Sequence, residues 1–236
     1  MPALLRHGPD GADPIDQRSC LVAPLVAGNQ VVRFHLQREA VVNAAMAVLA
    51  DSDQPSMSAQ LLHGPGGIGK TRTALEIVKR AKGSGWTCAW LANRLPGDAV
   101  QQWKAWLKGL AATSKVLLVV DYAETRQETL LQLLEVTLQV LNERVKDASS
   151  LRVHVLCLAR EGAWWEQLKH LRECPTLMKT WLAGTGNWGH APLQLWASDD
   201  RPSAFQDALE DFAKAQRIHP PSPRPKPDLS HKMYER

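Results

Sequence analysis

Between Ala59 and Leu75 the chain reads Ala-Gln-Leu-Leu-His-Gly-Pro-Gly-Gly-Ile-Gly-Lys-Thr-Arg-Thr-Ala-Leu: an apolar stretch, a glycine cluster and a helical pattern in immediate succession. That order confines the segment to a strand, a tight loop and a helix. Its centre, Gly64 to Thr71, has the spacing Gly-x4-Gly-Lys-Thr, the Walker A pattern. Closely spaced glycines permit the φ values and the close backbone approach with which several N–H groups can converge on one anion. Gly64, Pro65, Gly66, Gly67, Ile68 and Gly69 form the loop. Lys70 stands where an ammonium reaches β- and γ-phosphates, Thr71 offers a hydroxyl to Mg²⁺, and Arg72 follows at the start of the helix, whose N-terminal dipole favours negative charge. The reading at this point is a nucleotide phosphate site.

Strand and helix patterns alternate on either side. Arg38 to Leu49 carries apolar residues at helical spacing, and Val31 to Leu36 reads as a short strand or extended segment. After the loop and its helix, Gly83-Ser84-Gly85 is a stop. Trp86 to Ala92 is a second strand pattern, and Asp98 is placed to cap a helix through Val100, Trp103, Trp106, Leu107 and Leu110. Val116 to Val120 is a continuous apolar run, as expected for a strand covered on both faces. A long helix is predicted over Arg126 to Lys146, a buried strand over Leu151 to Ala159, a helix over Gly162 to Glu173, a fifth strand over Leu193 to Trp196, and a last helix over Pro202 to Ala215. Such alternation with short links predicts an α/β fold: a doubly wound, mostly parallel, five-stranded sheet flanked by helices.

The ends differ from this middle. Residues 1–30 lack periodicity and are expected to be a flexible arm, residues 31–216 to be the folded domain, and residues 217–236 to be a disordered, proline-rich basic tail. That tail carries five basic residues against two acids, contributing +3 of the net charge of +4. A balance so mild does not by itself argue for nucleic acid, which is not expected as a partner, and the tail reads as a solvated linker. The sequence has no apolar run long enough to span a membrane and no basic-then-apolar leader pattern at its start. Its four cysteines, Cys20, Cys88, Cys157 and Cys174, lack metal-ligand spacing and read as thiols of a reducing compartment, so the expected location is cytoplasmic.

Phosphate chemistry needs further groups at the ends of the neighbouring strands. Asp121 closes the run Val116 to Val120 and is the Mg²⁺ candidate beside Thr71. Tyr122 occupies the position where a water-activating acid commonly follows, which leaves Glu124 as the nearest candidate base or, alternatively, an acid at the start of the long helix. Arg160 closes the strand Leu151 to Ala159. It either senses the γ-phosphate or pairs with Glu161 or Glu166. The nine tryptophans, among them Trp103, Trp106, Trp164 and Trp165, fall at positions that suit core packing.

Taken together, Gly64 to Thr71, Val119-Val120-Asp121-Tyr122-Ala123-Glu124-Thr125-Arg126 and Leu158-Ala159-Arg160-Glu161-Gly162-Ala163-Trp164-Trp165 resemble the nucleotide-binding module of the bacterial STAND-class P-loop ATPases, which are related to AAA+ and NB-ARC proteins. The resemblance runs from about Val31 to Phe212. It extends to Phe34-His35-Leu36-Gln37-Arg38-Glu39, an element set against the adenine side in that class, with Gln37 where glycine is usual. It implies a P-loop NTPase fold with the Arg160 strand between those of the phosphate loop and Asp121. It also implies ATP/ADP and Mg²⁺ as cofactors; Lys70, Glu124 and Arg160, read from the residues above, are the candidate catalytic residues. The implied function is a signalling switch with slow Mg-dependent ATP hydrolysis that works through a protein partner or self-association. The alternative is a nucleotide-binding interaction module without significant hydrolysis. The winged-helix part and repeat array of the class would begin near where the proline tail ends, so the chain is expected to be a fragment, a truncated gene product or a stand-alone module.

Overall fold

The computed structural model describes residues 1–8, 33–145, 150–168, 181, 188–193, 201–217 and 219. In chain order the elements are β1 (Leu5–Arg6), α1 (Glu39–Ala50), β2 (Met57–His63), α2 (Lys70–Gly83), β3 (Thr87–Leu91), α3 (Ala99–Gly109), β4 (Lys115–Val120), α4 (Gln127–Val145), β5 (Arg152–Ala159), α5 (Ala163–Gln167), β6 (Trp188–Pro192) and α6 (Arg201–Gln216). Short 3₁₀ turns at Leu36–Arg38 and Ala123–Thr125 precede α1 and α4.

The strands form one sheet in the order β1-β3-β4-β5-β2-β6. Every pairing is parallel except β1 with β3. Because successive strand residues face opposite sides, each central strand divides its apolar residues between two cores. Val116, Leu118 and Val120 of β4, with Val153, Val155 and Cys157 of β5, face Trp103 and Leu107 of α3 and Leu130, Leu134 and Leu141 of α4. Leu117 and Val119, with Leu156 and Leu158, face Val42 and Leu49 of α1 and Ala74, Ile77 and Val78 of α2. A sheet with a helical layer on each face follows, and β4 and β5 are apolar at almost every position because both their faces are covered.

Several tryptophans serve this packing. Trp103 and Trp165 are fully buried. The indole N–H of Trp103 donates to Thr137 Oγ1 at 2.8 Å, and that hydroxyl donates in turn to the Leu133 carbonyl at 2.6 Å. A buried polar ring atom therefore has its partner. Cys88 and Cys157 are free and buried, while Cys20 and Cys174 lie outside the described residues.

Three expectations change. Among the described residues the sheet has six strands, the additional one being β1 within the stretch read as a flexible arm. Leu4 and Leu5 are buried, Leu5 pairs with Leu91, and Ala92 N–H donates to the Leu4 carbonyl at 2.9 Å. Two paired residues are too few for alternation to register in a sequence. Among the described residues the last strand is Trp188–Pro192, upstream of the expected Leu193–Trp196. Leu193 is buried and its N–H donates to the His63 carbonyl at 2.7 Å, whereas residues 194–196 lie outside the described residues. A segment with Gly189 and Pro192 has poor strand propensity, but as an edge strand it tolerates both, and pairing with β2 decides the matter. Residues 33–35 are neither helix nor strand, and Leu36–Arg38 form a 3₁₀ turn instead of ending the extended segment proposed over Val31 to Leu36. Most of the proline-rich tail, and the last part of the helix predicted over Gly162 to Glu173, lie outside the described residues.

Candidate nucleotide site

The phosphate loop joins β2 to α2, and its shape follows from its glycines. Gly67 and Gly69 have φ of +77° and +94°, and nothing within 4 Å would meet a side chain at either. Open space thus faces the loop where its backbone N–H groups turn. Gly69 caps α2 without any side-chain hydrogen bond, so the first N–H groups of the helix are left for another acceptor. Gly64 is different, because a Cβ there would lie 3.0 Å from the Leu193 carbonyl. The loop is packed at its entry and open at its crown.

Lys70 folds back over this loop, its ammonium donating to the carbonyls of Gly64 at 2.6 Å and Pro65 at 2.9 Å. Burial lowers the pKa of the ammonium, and the nearby carboxylates of Asp121 and Glu124 oppose that shift. From the end of β4, Asp121 Oδ2 accepts from Thr71 Oγ1 at 3.3 Å, while Oδ1 accepts from the Tyr122 N–H at 2.9 Å. Burial raises the Asp121 pKa, opposed by those two hydrogen bonds and by Lys70. A hydroxyl and a carboxylate oxygen side by side are hard donors of the kind Mg²⁺ takes. The donor set fits that metal.

The expected sheet order holds, since β5 lies between β4 and β2. Arg160 leaves β5 beside the loop and is exposed, and its main-chain N–H donates to Glu124 Oε1 at 3.2 Å. Glu124 sits in the 3₁₀ turn Ala123–Thr125, which bends the chain so that the acid three residues beyond Asp121 returns to the same cleft. Its Oε2 is buried without a hydrogen-bond partner in the described structure. Tyr122, which starts that turn with φ of +52°, is half exposed at the cleft's lip.

Lys70, Thr71, Asp121, Glu124 and Arg160 thus line one cleft of about 370 Å³, together with Gly66, Gly67, Gly69 and Arg72. Gly64, Pro65 and Ile68 shape the loop without lining it. Ile68 is buried in the core beneath, and Arg72 also lies over the Phe34 ring at 5.9 Å. One residue of consequence has no signal in its spacing. Arg38 is buried and its Nη2 donates to the Ile68 carbonyl at 3.2 Å, holding the loop from the side of the Phe34 to Glu39 element. Only the likeness of that element to the STAND class could have drawn attention to it.

The family model described as Novel STAND NTPase 5 matches residues 25–172. The chain belongs to that family. Among solved structures, this member is similar to the Aeropyrum pernix ORC2 protein in its ADPNP-ADP complexes, with a TM-score of 0.53 and 17% identity over 78% of this chain and 55% of that one. It is similar also to the Aeropyrum pernix ORC1 protein in complex with DNA, with a TM-score of 0.51, 17% identity, and coverage of 78% and 51%. Cdc6p from Pyrobaculum aerophilum gives a TM-score of 0.50 at 16% identity with the same coverage. At such identity the likeness shows the fold alone, that of a P-loop NTPase. The STAND NTPase chain spans about half the length of these solved chains. No curated protein matches it.

Proposed function

We propose that this STAND NTPase is the ATP-binding module of a signalling switch, with ATP and ADP as its ligands and slow Mg-dependent hydrolysis as the step that resets it. The observation that carries the reading is the convergence of Lys70, the Thr71–Asp121 pair, Glu124 and Arg160 on one cleft beside an open glycine loop. Family membership supports nucleotide binding as such. Backbone N–H groups of Gly67, Gly69 and the first turn of α2 would hold the phosphates, and Lys70 would exchange its carbonyl partners for phosphate oxygens. Thr71 and Asp121 would hold Mg²⁺, which when bound neutralises charge on the β- and γ-phosphates. Glu124 would take a proton from water, and Arg160 would meet the charge that develops on the γ-phosphoryl group.

The work of such a module is carried out on a protein partner or a second copy of the chain rather than on nucleic acid, in keeping with its mild net charge of +4. Among the described residues no helix is long and apolar enough to cross a membrane. The test is nucleotide occupancy of the purified chain, followed by titration with a fluorescent ATP analogue. Lys70→Ala is expected to weaken binding about 100-fold, on the order of the roughly 3 kcal/mol that a charge-assisted contact carries. Unchanged affinity in that variant would sink the reading. A second reading, a nucleotide-binding interaction module without significant turnover, is favoured by Tyr122 standing directly after Asp121. Phosphate release unaffected by Glu124→Gln would select it.

A further inference from the structure

The stretch from Arg33 to Glu39 touches, residue after residue, parts of the molecule far apart in sequence. At its start, Asp211 of α6 accepts from the Arg33 main-chain N–H at 2.8 Å and from its guanidinium at 2.9 Å and 3.0 Å. Asp207 and Glu210 lie 3.4 Å and 3.8 Å from the same guanidinium. Phe34 packs against the α1–α2 core and faces Arg72. The 3₁₀ turn then closes with Arg38 N–H on the His35 carbonyl at 3.1 Å, and Arg38 reaches the Ile68 carbonyl of the phosphate loop. Glu39 ends the stretch with both oxygens on Arg80 of α2, at 2.6 Å and 2.8 Å.

We infer that residues 33–39 are a strap through which α6 sets the conformation of the phosphate loop, with Arg33 as the coupling residue and Arg38 as the loop's positioning residue. Isolated exposed ion pairs contribute little, but Asp211 holds the backbone of residue 33 as well as its side chain, and three acids share one guanidinium. A displacement of α6 therefore moves main chain. Between residue 33 and Arg38 there is only a short, internally bonded turn to absorb that movement. Arg38 is buried, so withdrawing it would leave the Ile68 carbonyl without this donor inside the protein. The loop then loses one of the bonds that fix its crown over the cleft. Whatever displaces α6, a neighbouring domain or a second chain, would in this way alter nucleotide affinity.

The experiment uses the full chain with Arg33→Glu, Asp211→Arg, the double charge swap, and the conservative Asp211→Asn. Its affinity readout rests on the nucleotide reading above, so amide hydrogen exchange of residues 64–69 is measured without nucleotide alongside it. Each charge-reversing single variant should weaken binding of a fluorescent ATP analogue about three- to tenfold and speed exchange in the loop. Asp211→Asn should fall between these and the wild type. The swap should recover part of both losses and no more, because an arginine at 211 can pair with a glutamate at 33 but cannot accept the main-chain N–H of that residue, and Asp207 and Glu210 stay close by. Singles that leave loop exchange at the wild-type rate, or that lower the melting temperature alone, would overturn the inference. So would a swap no better than the sum of its parts. A wild type that bound no nucleotide would overturn the functional reading only, and exchange would still decide the strap.

Discussion

Glu124 Oε1 accepts the main-chain N–H of Arg160 at 3.2 Å, which ties the turn after β4 to the end of β5 at the point where both strands face the phosphate loop. The same residue's carbonyl accepts from Gln127 Nε2 at 3.0 Å. Held at its carbonyl and at one oxygen, the side chain keeps Oε2 buried and without a hydrogen-bond partner in the described structure. Glu124→Gln keeps an acceptor for Arg160 but lacks the basic oxygen. Nucleotide affinity is expected to stay within about twofold while turnover falls on the order of 100-fold or more. Single-turnover phosphate release with the affinity measured in parallel checks this.

Asp121 carries a cost that its proposed role explains. Burial holds its carboxyl above the usual range, so the ionised form is disfavoured in the folded chain above the unfolded pKa, and that cost fades as pH falls. Asp121→Asn retains an oxygen for Thr71 or Tyr122 without the charge. It should raise the thermal midpoint at neutral pH, with the gain shrinking in acid, and should abolish the Mg²⁺ dependence of nucleotide binding. Melting curves at several pH values with and without Mg²⁺ test both halves.

Away from the site, Ser58 Oγ and His154 Nδ1 lie 2.8 Å apart across the β2–β5 pairing, both buried. Burial lowers the His154 pKa from 6.5 to about 4. The unfolded chain therefore binds the extra proton first as pH falls. Stability from this residue is fully present above pH 6.5 and is lost progressively toward pH 4, by as much as ~3 kcal/mol. In the doubly apolar variant Ser58→Ala with His154→Leu, urea unfolding should show a flatter dependence across that window.

Gly64 and Gly67 make a matched pair for substitution. Alanine at Gly64 would bring Cβ to 3.0 Å from the Leu193 carbonyl at φ of +156°, whereas Gly67, at φ of +77°, has open space around it. Gly64→Ala should cost about 2–3 kcal/mol through a backbone clash, and Gly67→Ala about 1 kcal/mol through backbone strain alone. Equilibrium unfolding of the two variants gives the comparison.

The centre of this fold is legible in the sequence because each part there carries a local signal strong enough to stand alone. The run Val116 to Val120 has no polar interruption, since both faces of β4 are covered. Asp98 stands at the N-cap position of α3 as expected but makes no side-chain cap there, because its carboxylate accepts from Gln102 Nε2 at 2.9 Å and not from a helix N–H, a choice that spacing does not reveal. Glu124 is ambiguous in sequence because its return to the cleft depends on the turn that Tyr122 begins in the left-handed region. Arg38 and β6 leave almost no trace. Each owes its place to a partner distant in sequence, the Ile68 carbonyl in one case and β2 in the other. Periodicity reads what a segment does by itself, and these segments do little by themselves.

The segment matched by the family model, residues 25–172, contains the four central strands and neither edge. Leu5–Arg6 closes one side and Trp188–Pro192 the other, so both borders of the sheet are supplied by flanking chain. A chain trimmed to the family segment would keep every residue of the candidate site and expose the unpaired rims of β3 and β2, the kind of surface on which sheets of different molecules join. The segment that the family model matches and the segment whose sheet edges are both paired are, in this protein, of different lengths.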